Sequence, residues 1–407
     1  MMNIWIFNHY AITPDMPGGT RHFDLAKELI SRGYDVTIFA SSFNHQTLQE
    51  LKLINGGSYK IEEYEGVRFV WIKTFRYTSN NWRRFINMLS YMYRVYIISR
   101  NSVMKKEIKK PDIIVGSSPH LFAVLSAYYL SRCYKSKFIM EVRDLWPQTL
   151  IDIVKIPKFH PAVIIFKILE RYLYKKSKKI ITIPPKAYEY LYSLGVEKEK
   201  VVYIPNGVNL KNYNFIVKSH NDDSFKVFYV GGHSQTDNLY VLLEAAEKIK
   251  DLGLPMNFVL VGDGMEKPRL LEYTQRKNLK DIVIFRSPVP KSEIPTILSE
   301  ASILYISMYV SSIYKYGISF NKLFDYMASG KPIVMYGNPE NNPLEESNAG
   351  IIVNTVKDLV NAFLNVFHMK LDERYKMGEC GRKYVEKYHS VPVLVNRIEN
   401  IIKEICP

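Results

Sequence analysis

Residues 316–334 read YGISFNKLFDYMASGKPIV, and the reading of the whole chain turns on them. Leu323, Phe324 and Met327 at i, i+1 and i+4 predict a helix with one apolar face, Ser319 is placed as its side-chain cap, and Gly330 followed by Pro332 ends it. Lys322 is what this pattern leaves unexplained. A cation in the first turn opposes the helix dipole by a few tenths to about 1 kcal/mol, and a bound anion removes that penalty. Backbone amides at a helix start plus one ammonium make a phosphate cradle. Asp325, one turn further on the same face, is placed to accept hydrogen bonds from neighbouring hydroxyls, and phosphate beside a diol describes a nucleotide ribose. The plainer alternative is a capped surface helix with a solvated Lys322. These residues alone leave both readings open.

The stretch resembles the nucleotide-sugar-binding helix of the retaining family 4 glycosyltransferases, where two acidic residues separated by seven precede an Ala-x-Gly-x-Pro turn. Asp325, Ala328, Gly330 and Pro332 match, and the first acidic position falls on Gly317. It is more similar to a bacterial subgroup with Ser-Pro-Asn-Lys-Leu-Phe-(Asp/Glu)-Tyr-Met, the amino-deoxysugar transferases of surface polysaccharide assembly. Phe320 stands in place of that proline. The resemblance implies an α/β fold of two facing Rossmann-like domains, of the GT-B type, with a cleft between them.

The composition is compatible with that architecture. A chain of 407 residues suffices for two domains of ordinary size, and 47% hydrophobic with 13% aromatic residues excludes wholesale disorder. Cys133, Cys380 and Cys406 fit no metal pattern and no even-numbered disulfide framework, which points to a reducing cytosol. The strand-like run 4–7 lacks the basic region and cleavage site of a signal peptide, so export is not expected. No apolar stretch approaches the roughly 20 residues that span a bilayer, and the protein is expected to be soluble or to lie on a membrane. The net charge of +15 calls for an anionic partner, either nucleic acid, a phospholipid surface or a phosphorylated substrate.

In chain order, residues 3–8 predict a buried strand, 21–32 a helix and 36–40 a strand, the unit of a parallel α/β sheet. Between the first two, Gly18 and Gly19 precede Arg21 and His22 at a helix start, where backbone can approach a ligand closely. Residues 81–110 interleave Trp82, Phe85, Tyr91, Tyr93 and Tyr96 with Arg83, Arg84, Arg94, Arg100 and four lysines. That pattern fits a basic helix on a membrane surface, and it also fits the plainer account, an outer helix of a basic protein. A strand at 112–116 leads into Ser117-Ser118-Pro119-His120, and another at 138–142 delivers Glu141, Arg143, Asp144, Trp146 and Pro147 at its carboxyl end, where open sheets bind ligands. A structural ion pair of Arg143 with Glu141 or Asp144 is the plainer account of those charges. Arg171, Lys175, Lys176, Lys178 and Lys179 form a second basic run, a pattern that usually marks a solvated face. Strands are further predicted at 180–183, 201–204, 226–230, 258–261, 282–285 and 303–307, and helices at 288–301 and 391–405.

The resemblance assigns roles to these positions. It makes residues 1–208 an acceptor-side and membrane-side domain onto which a helix at 390–407 folds back, and residues 225–389 the nucleotide-sugar domain, with a linker at 218–224. Arg143-Asp144 aligns with the His-Asp active-site pair of many relatives, so Asp144, Arg143 and Glu141 are the candidate catalytic or acceptor-orienting residues. The candidate substrate-binding residues are Gly18, Gly19, Arg21, His22, Gly232, His233, Arg286, Ser319, Lys322, Leu323 and Asp325. Relatives carry an Arg and a Lys a few residues after the second-domain glycine turn, but Thr236-Asp237-Asn238 holds no basic residue. Diphosphate neutralisation then falls to Lys322, backbone amides and His233 or Arg286.

The implied reaction is retaining transfer of a sugar, of N-acetylated amino or deoxyamino type, from a UDP-sugar to a polyprenyl-diphosphate-linked saccharide of capsule or O-antigen. The enzyme is then expected in the cytoplasm, peripheral on the inner face of a bacterial plasma membrane. No metal or other cofactor is implied. His/Cys clusters and His-Glu-x-x-His are absent, and Asp222-Asp223 falls in the linker and is not an Asp-x-Asp motif. Two rivals are a nucleotide-sugar epimerase of the same fold and a basic nucleic-acid-binding protein. No recognisable nucleic-acid-binding module appears, so nucleic acid is not the expected partner.

Overall fold

In a computed structural model, all residues are described except 46, 55, 79–81, 214–224, 310–311 and 407. The expected linker and Asp222-Asp223 therefore lie outside the described residues. The chain divides into two units. Unit 1 comprises residues 1–14, 18–205 and 391–407, and unit 2 comprises residues 15–17 and 206–390.

Unit 1 begins with β1 (Asn3–Phe7), α1 (Arg21–Ser31) and β2 (Asp35–Ser41). A two-stranded ribbon follows, β3 (Phe43–Asn44) with β4 (Gln49–Glu50), and then β5 (Tyr59–Tyr64), β6 (Val67–Ile72) and the long α2 (Trp82–Met104). The unit continues with β7 (Ile113–Ser117), α3 (Leu121–Tyr134), β8 (Lys137–Val142), α4 (Gln148–Asp152), α5 (Pro161–Lys176), β9 (Lys179–Thr182), α6 (Ala187–Ser193) and β10 (Val201–Tyr203). Its eight strands lie in the order β10-β9-β8-β7-β1-β2-β6-β5, parallel except for the antiparallel β5 at one edge. β1 and β2 are near-continuous apolar runs because helices cover both faces of a parallel sheet. Trp5, Phe7, Phe39 and Ile38 are accordingly buried.

Unit 2 runs through β11 (Phe225–Val230), α7 (Tyr240–Asp251), β12 (Met256–Val261), α8 (Lys267–Arg276), β13 (Val283–Arg286), α9 (Ile294–Ser299) and β14 (Ile303–Ser307). It continues with α10 (Asn321–Ser329), β15 (Ile333–Tyr336), α11 (Pro343–Ser347), β16 (Gly350–Val353), α12 (Val356–His368) and α13 (Leu371–Tyr388). The helix expected over 288–301 is a short 3-10 turn at Lys291–Glu293 followed by α9. Six parallel strands lie in the order β13-β12-β11-β14-β15-β16. One apolar cluster centres on Phe258, Leu260, Tyr305 and Phe363, and another on Phe228, Ile306, Phe324 and Met327.

The last helix, α14 (Val391–Ile405), belongs to unit 1 and packs against α1. Leu394, Val395, Ile401 and Ile402 are buried, and Arg32 bonds to Glu399 at 2.7 Å and to Asn396 at 2.6 Å.

Both sheets reverse direction at their first strand, β1 beside β7 in unit 1 and β11 beside β14 in unit 2. In open parallel sheets the loops after such paired strands diverge and leave a crevice at the carboxyl ends. Each unit therefore has one edge where ligand chemistry is expected.

Candidate functional site

In unit 2 the carboxyl end of β11 runs into Gly231 and Gly232. Gly231 lies in a tight spot, since a Cβ there would sit 3.0 Å from the Tyr229 hydroxyl and 3.1 Å from the Lys322 ammonium and would push both side-chain ends back. Gly262 is required twice over. Its φ is 144°, and a Cβ would fall 1.9 Å from the Gly231 carbonyl. These glycines bring the turns after β11 and β12 together, with the His233 amide donating to the Asp263 carbonyl at 2.8 Å.

α10 follows the carboxyl end of β14. Among the described residues no side chain caps it, and the cap position is Phe320. This corrects the expectation for Ser319, whose hydroxyl instead accepts the Asn206 amide at 2.9 Å. Leu323 has its side chain fully buried in the core, and its amide donates to the Phe320 carbonyl. Lys322 is not a solvated cation. Its ammonium lies over the Tyr229 ring, donates to the Tyr229 hydroxyl at 2.7 Å and pairs with Asp237. Burial works against the Asp237 charge, but Lys322 and the Ser234 hydroxyl outweigh it and hold that carboxyl below its usual range. The anion that answers Lys322 is thus an internal one.

Asp325 is buried and its two oxygens are shared between the Tyr213 hydroxyl, at 2.8 Å, and the Lys291 ammonium. Gly317, at the position of the first acidic residue, is buried with φ 79°, a left-handed conformation that a glutamate would adopt only with strain. Arg286 pairs with Glu300 at 2.8 Å and lies over the Phe228 ring, so its charge is already matched. The Gly232 carbonyl accepts from the Tyr229 hydroxyl at 2.6 Å. His233 is buried under the glycine turns, neither ring nitrogen has a hydrogen-bond partner among the described residues, and burial followed by Lys267 drives its pKa down to about 4. Among these protein neighbours the ring is neutral.

In unit 1 the carboxyl ends of β1, β7 and β8 converge on a buried polar network. Glu141 accepts from Arg21 at 2.9 Å, from the Ser117 hydroxyl at 2.6 Å, and shares a 2.7 Å bond with His22. His22 Nδ1 accepts from Asn8, and Arg21 also donates to the Ile204 and Pro205 carbonyls. Burial opposes the Glu141 charge, but Arg21 and His22 outweigh it and keep the carboxyl well below its usual range. Glu141, Arg21 and His22 therefore tie α1 to the strand ends, and Arg21 rather than Arg143 is the ion-pair partner. The backbone amide of Arg143 donates to Ser118 at 2.8 Å, its side chain is half-buried, and Asp144 is exposed. Gly18 and Gly19 lie in the loop before α1, Gly18 with φ 132°.

Sequence reasoning passed over His9. His9 Nδ1 and His120 Nε2 lie 2.7 Å apart, and His120 Nδ1 accepts the Ala123 amide as the cap of α3. That bond fixes the tautomers: His120 carries its proton on Nε2 and gives it to His9 Nδ1, so His9 holds its own proton on Nε2. His9 Nε2 is a buried donor with no partner among the described residues. Burial above all, with Arg84 second, drives the His120 pKa down to about 3, so this ring stays neutral.

Residues 18–212 match the profile of Glycosyltransferase Family 4, and residues 224–368 match that of Glycosyl transferases group 1. Between them these two glycosyltransferase profiles span most of the chain, and the protein is a two-domain glycosyltransferase. It is 20% identical over 288 residues, 67% of this chain and 69% of the relative, to the putative colanic acid biosynthesis glycosyl transferase WcaI of Escherichia coli K12. Among solved structures, sucrose-phosphate synthase from Thermosynechococcus elongatus superposes with a TM-score of 0.76 at 16% identity, covering 100% of this chain and 99% of that one. Anabaena HepE in complex with UDP and glucose gives 0.68 at 13% identity, covering 99% and 100%. These likenesses carry the fold, so this glycosyltransferase has the two Rossmann-like domains of the GT-B type.

Proposed function

We propose that this glycosyltransferase is a retaining enzyme that moves a sugar, of N-acetylated amino or deoxyamino type, from a UDP-sugar to a polyprenyl-diphosphate-linked saccharide of capsule or O-antigen. Residues 225–389 form the donor domain and residues 1–208 with 390–407 the acceptor domain. The observation that carries the donor assignment is the start of α10, where uncapped backbone amides and the Lys322 ammonium meet the glycine turn after β11. Amides and one ammonium at a helix start bind phosphate oxygens. The complex of HepE with UDP is consistent with that donor, and the likeness to WcaI with polysaccharide assembly.

The diphosphate takes Lys322 from Asp237, and Asp325 serves the ribose in exchange for one of its present partners. On the acceptor side Asp144, exposed at the end of β8, and the neighbouring Arg143 orient the acceptor hydroxyl or stabilise developing charge, while Glu141 acts as a positioning residue. In a front-face transfer the new glycosidic bond forms as the bond to the leaving diphosphate breaks. The diphosphate oxygen takes the hydroxyl proton, and the protein supplies positioning and charge stabilisation. A thermal-shift panel of sugar nucleotides, followed by product analysis with and without a lipid-linked acceptor, tests this reading. Protection by UDP-sugars and acceptor-dependent transfer are expected. A product formed without acceptor would make the enzyme an epimerase.

A further inference from the structure

We propose that the outward face of α5, with the turn before it, is the surface by which unit 1 lies on an anionic bilayer. The proposal deepens the reading of a lipid-linked acceptor and rests on that reading for its purpose.

α5 is two-faced. Val163, Phe166, Glu170, Leu173 and Tyr174 are buried. Ile164, Ile165, Ile168 and Tyr172 are exposed, and at about 100° per residue they fall within one arc of about 100°. Ile165 is 58% and Ile168 65% exposed, and Phe159, just before the helix, is 89% exposed. Single exposed apolar residues need no explanation, but a continuous stripe does.

Within residues 153–178 the exposed charge is of one sign. Lys155, Lys158, Lys167, Arg171, Lys175 and Lys178 surround the stripe, and the Lys176 ammonium lies over the Tyr172 ring. Lys167, Arg171 and Lys175 make no ion pair among the described residues. The single carboxyl between residues 153 and 178 is Glu170, which faces inward and accepts from the Tyr174 and Tyr190 hydroxyls at 2.8 and 3.0 Å. The exposed surface of this segment therefore carries no acid. A protein partner would have to supply acids around an apolar ridge. An anionic bilayer supplies both in one layer, because apolar side chains reach the acyl boundary while lysine and arginine stems extend to the headgroups. α3 packs between α5 and α2 and exposes Tyr129, which places the arginines of α2 on the same side of the sheet.

The test is flotation of the full chain with vesicles of phosphatidylcholine alone and with added phosphatidylglycerol, at low and high salt, alongside calorimetry with UDP. Wild type is expected to float with the anionic vesicles at low salt. The combined Phe159→Ser, Ile165→Ser, Ile168→Ser variant should partition at least about tenfold more weakly with an unchanged melting curve, since all three side chains are exposed. The combined Lys167→Gln, Arg171→Gln, Lys175→Gln variant should lose the salt-sensitive part of the binding. Wild type that stays with the soluble fraction, or a serine variant that floats as well as wild type, overturns the proposal. So does a dimer that the serine variant abolishes, which would assign the face to a second copy. UDP affinity should be the same in all three proteins. A wild type that floats but binds no UDP would refute the donor assignment and leave the lipid surface standing.

Discussion

Lys322, in the first turn of α10, pairs with Asp237, which lies 85 residues earlier in the chain in the 3-10 turn Gln235–Asp237 that follows β11. An anionic ligand at the helix start competes with that internal carboxylate. Asp237→Asn should therefore tighten UDP binding by about 1 kcal/mol, whereas Lys322→Ala should weaken it by about 1.5–3 kcal/mol, the range of one charged hydrogen bond. Calorimetry with UDP and with pyrophosphate measures both. Equal affinities in the two variants would remove the diphosphate from this helix.

Asp144 is exposed at the end of β8 and separate from the Glu141 network. Asp144→Asn should cut kcat by more than about tenfold and leave UDP affinity unchanged, because an interaction made only in the transition state acts on the chemical step alone. A parallel loss of UDP affinity or of folding would contradict that role.

Glu141 answers two buried cationic or ring partners at once. Removing it in Glu141→Ala leaves Arg21 buried without a counter-charge, a loss of about 3–5 kcal/mol, readable as a fall in the midpoint of urea unfolding. The low pKa of Glu141 gives the sign with pH. Its contribution is complete above the unfolded value of 4.5 and is lost as pH falls through the lower folded value, so the wild-type and Glu141→Ala curves should converge in acid.

Glu170 gives the opposite sign. Burial, only partly offset by the Tyr174 and Tyr190 hydroxyls, pushes its pKa from 4.5 to about 8. The folded state then holds a proton that the unfolded chain has released, so stability falls as pH rises through that window. Glu170→Gln should flatten the decline between pH 5 and 8, by on the order of a few kcal/mol at the upper end. Identical melting profiles for the two proteins across that range would refute it.

The helix period at 321–329, the strand runs and the glycine punctuation were legible because they depend on neighbours in sequence. What was not legible is who answers whom. Ser319 stands where a cap belongs, but the Asn206 amide claims its hydroxyl from 113 residues away. The stretch 236–238 carries no base, and its acid, Asp237, is what pairs with Lys322. Lys291 with Asp325, and Arg21 with Glu141 across 120 residues, are pairings that only the folded sheet brings about. His9 gave no signal beyond its position just after the first strand. The antiparallel β5 and β6 were passed over although Val67 and Phe69 to Ile72 form an apolar run.

α14 closes against α1 although almost the whole of unit 2 lies between them in the chain. On the ribosome, residues 206–390 emerge before residues 391–405, so unit 2 can complete its core while unit 1 still lacks a helix. Domains generally fold as units in order of synthesis. Here the earlier-made unit waits for the later one, with the apolar side of α1 open to whatever chaperone meets the nascent chain.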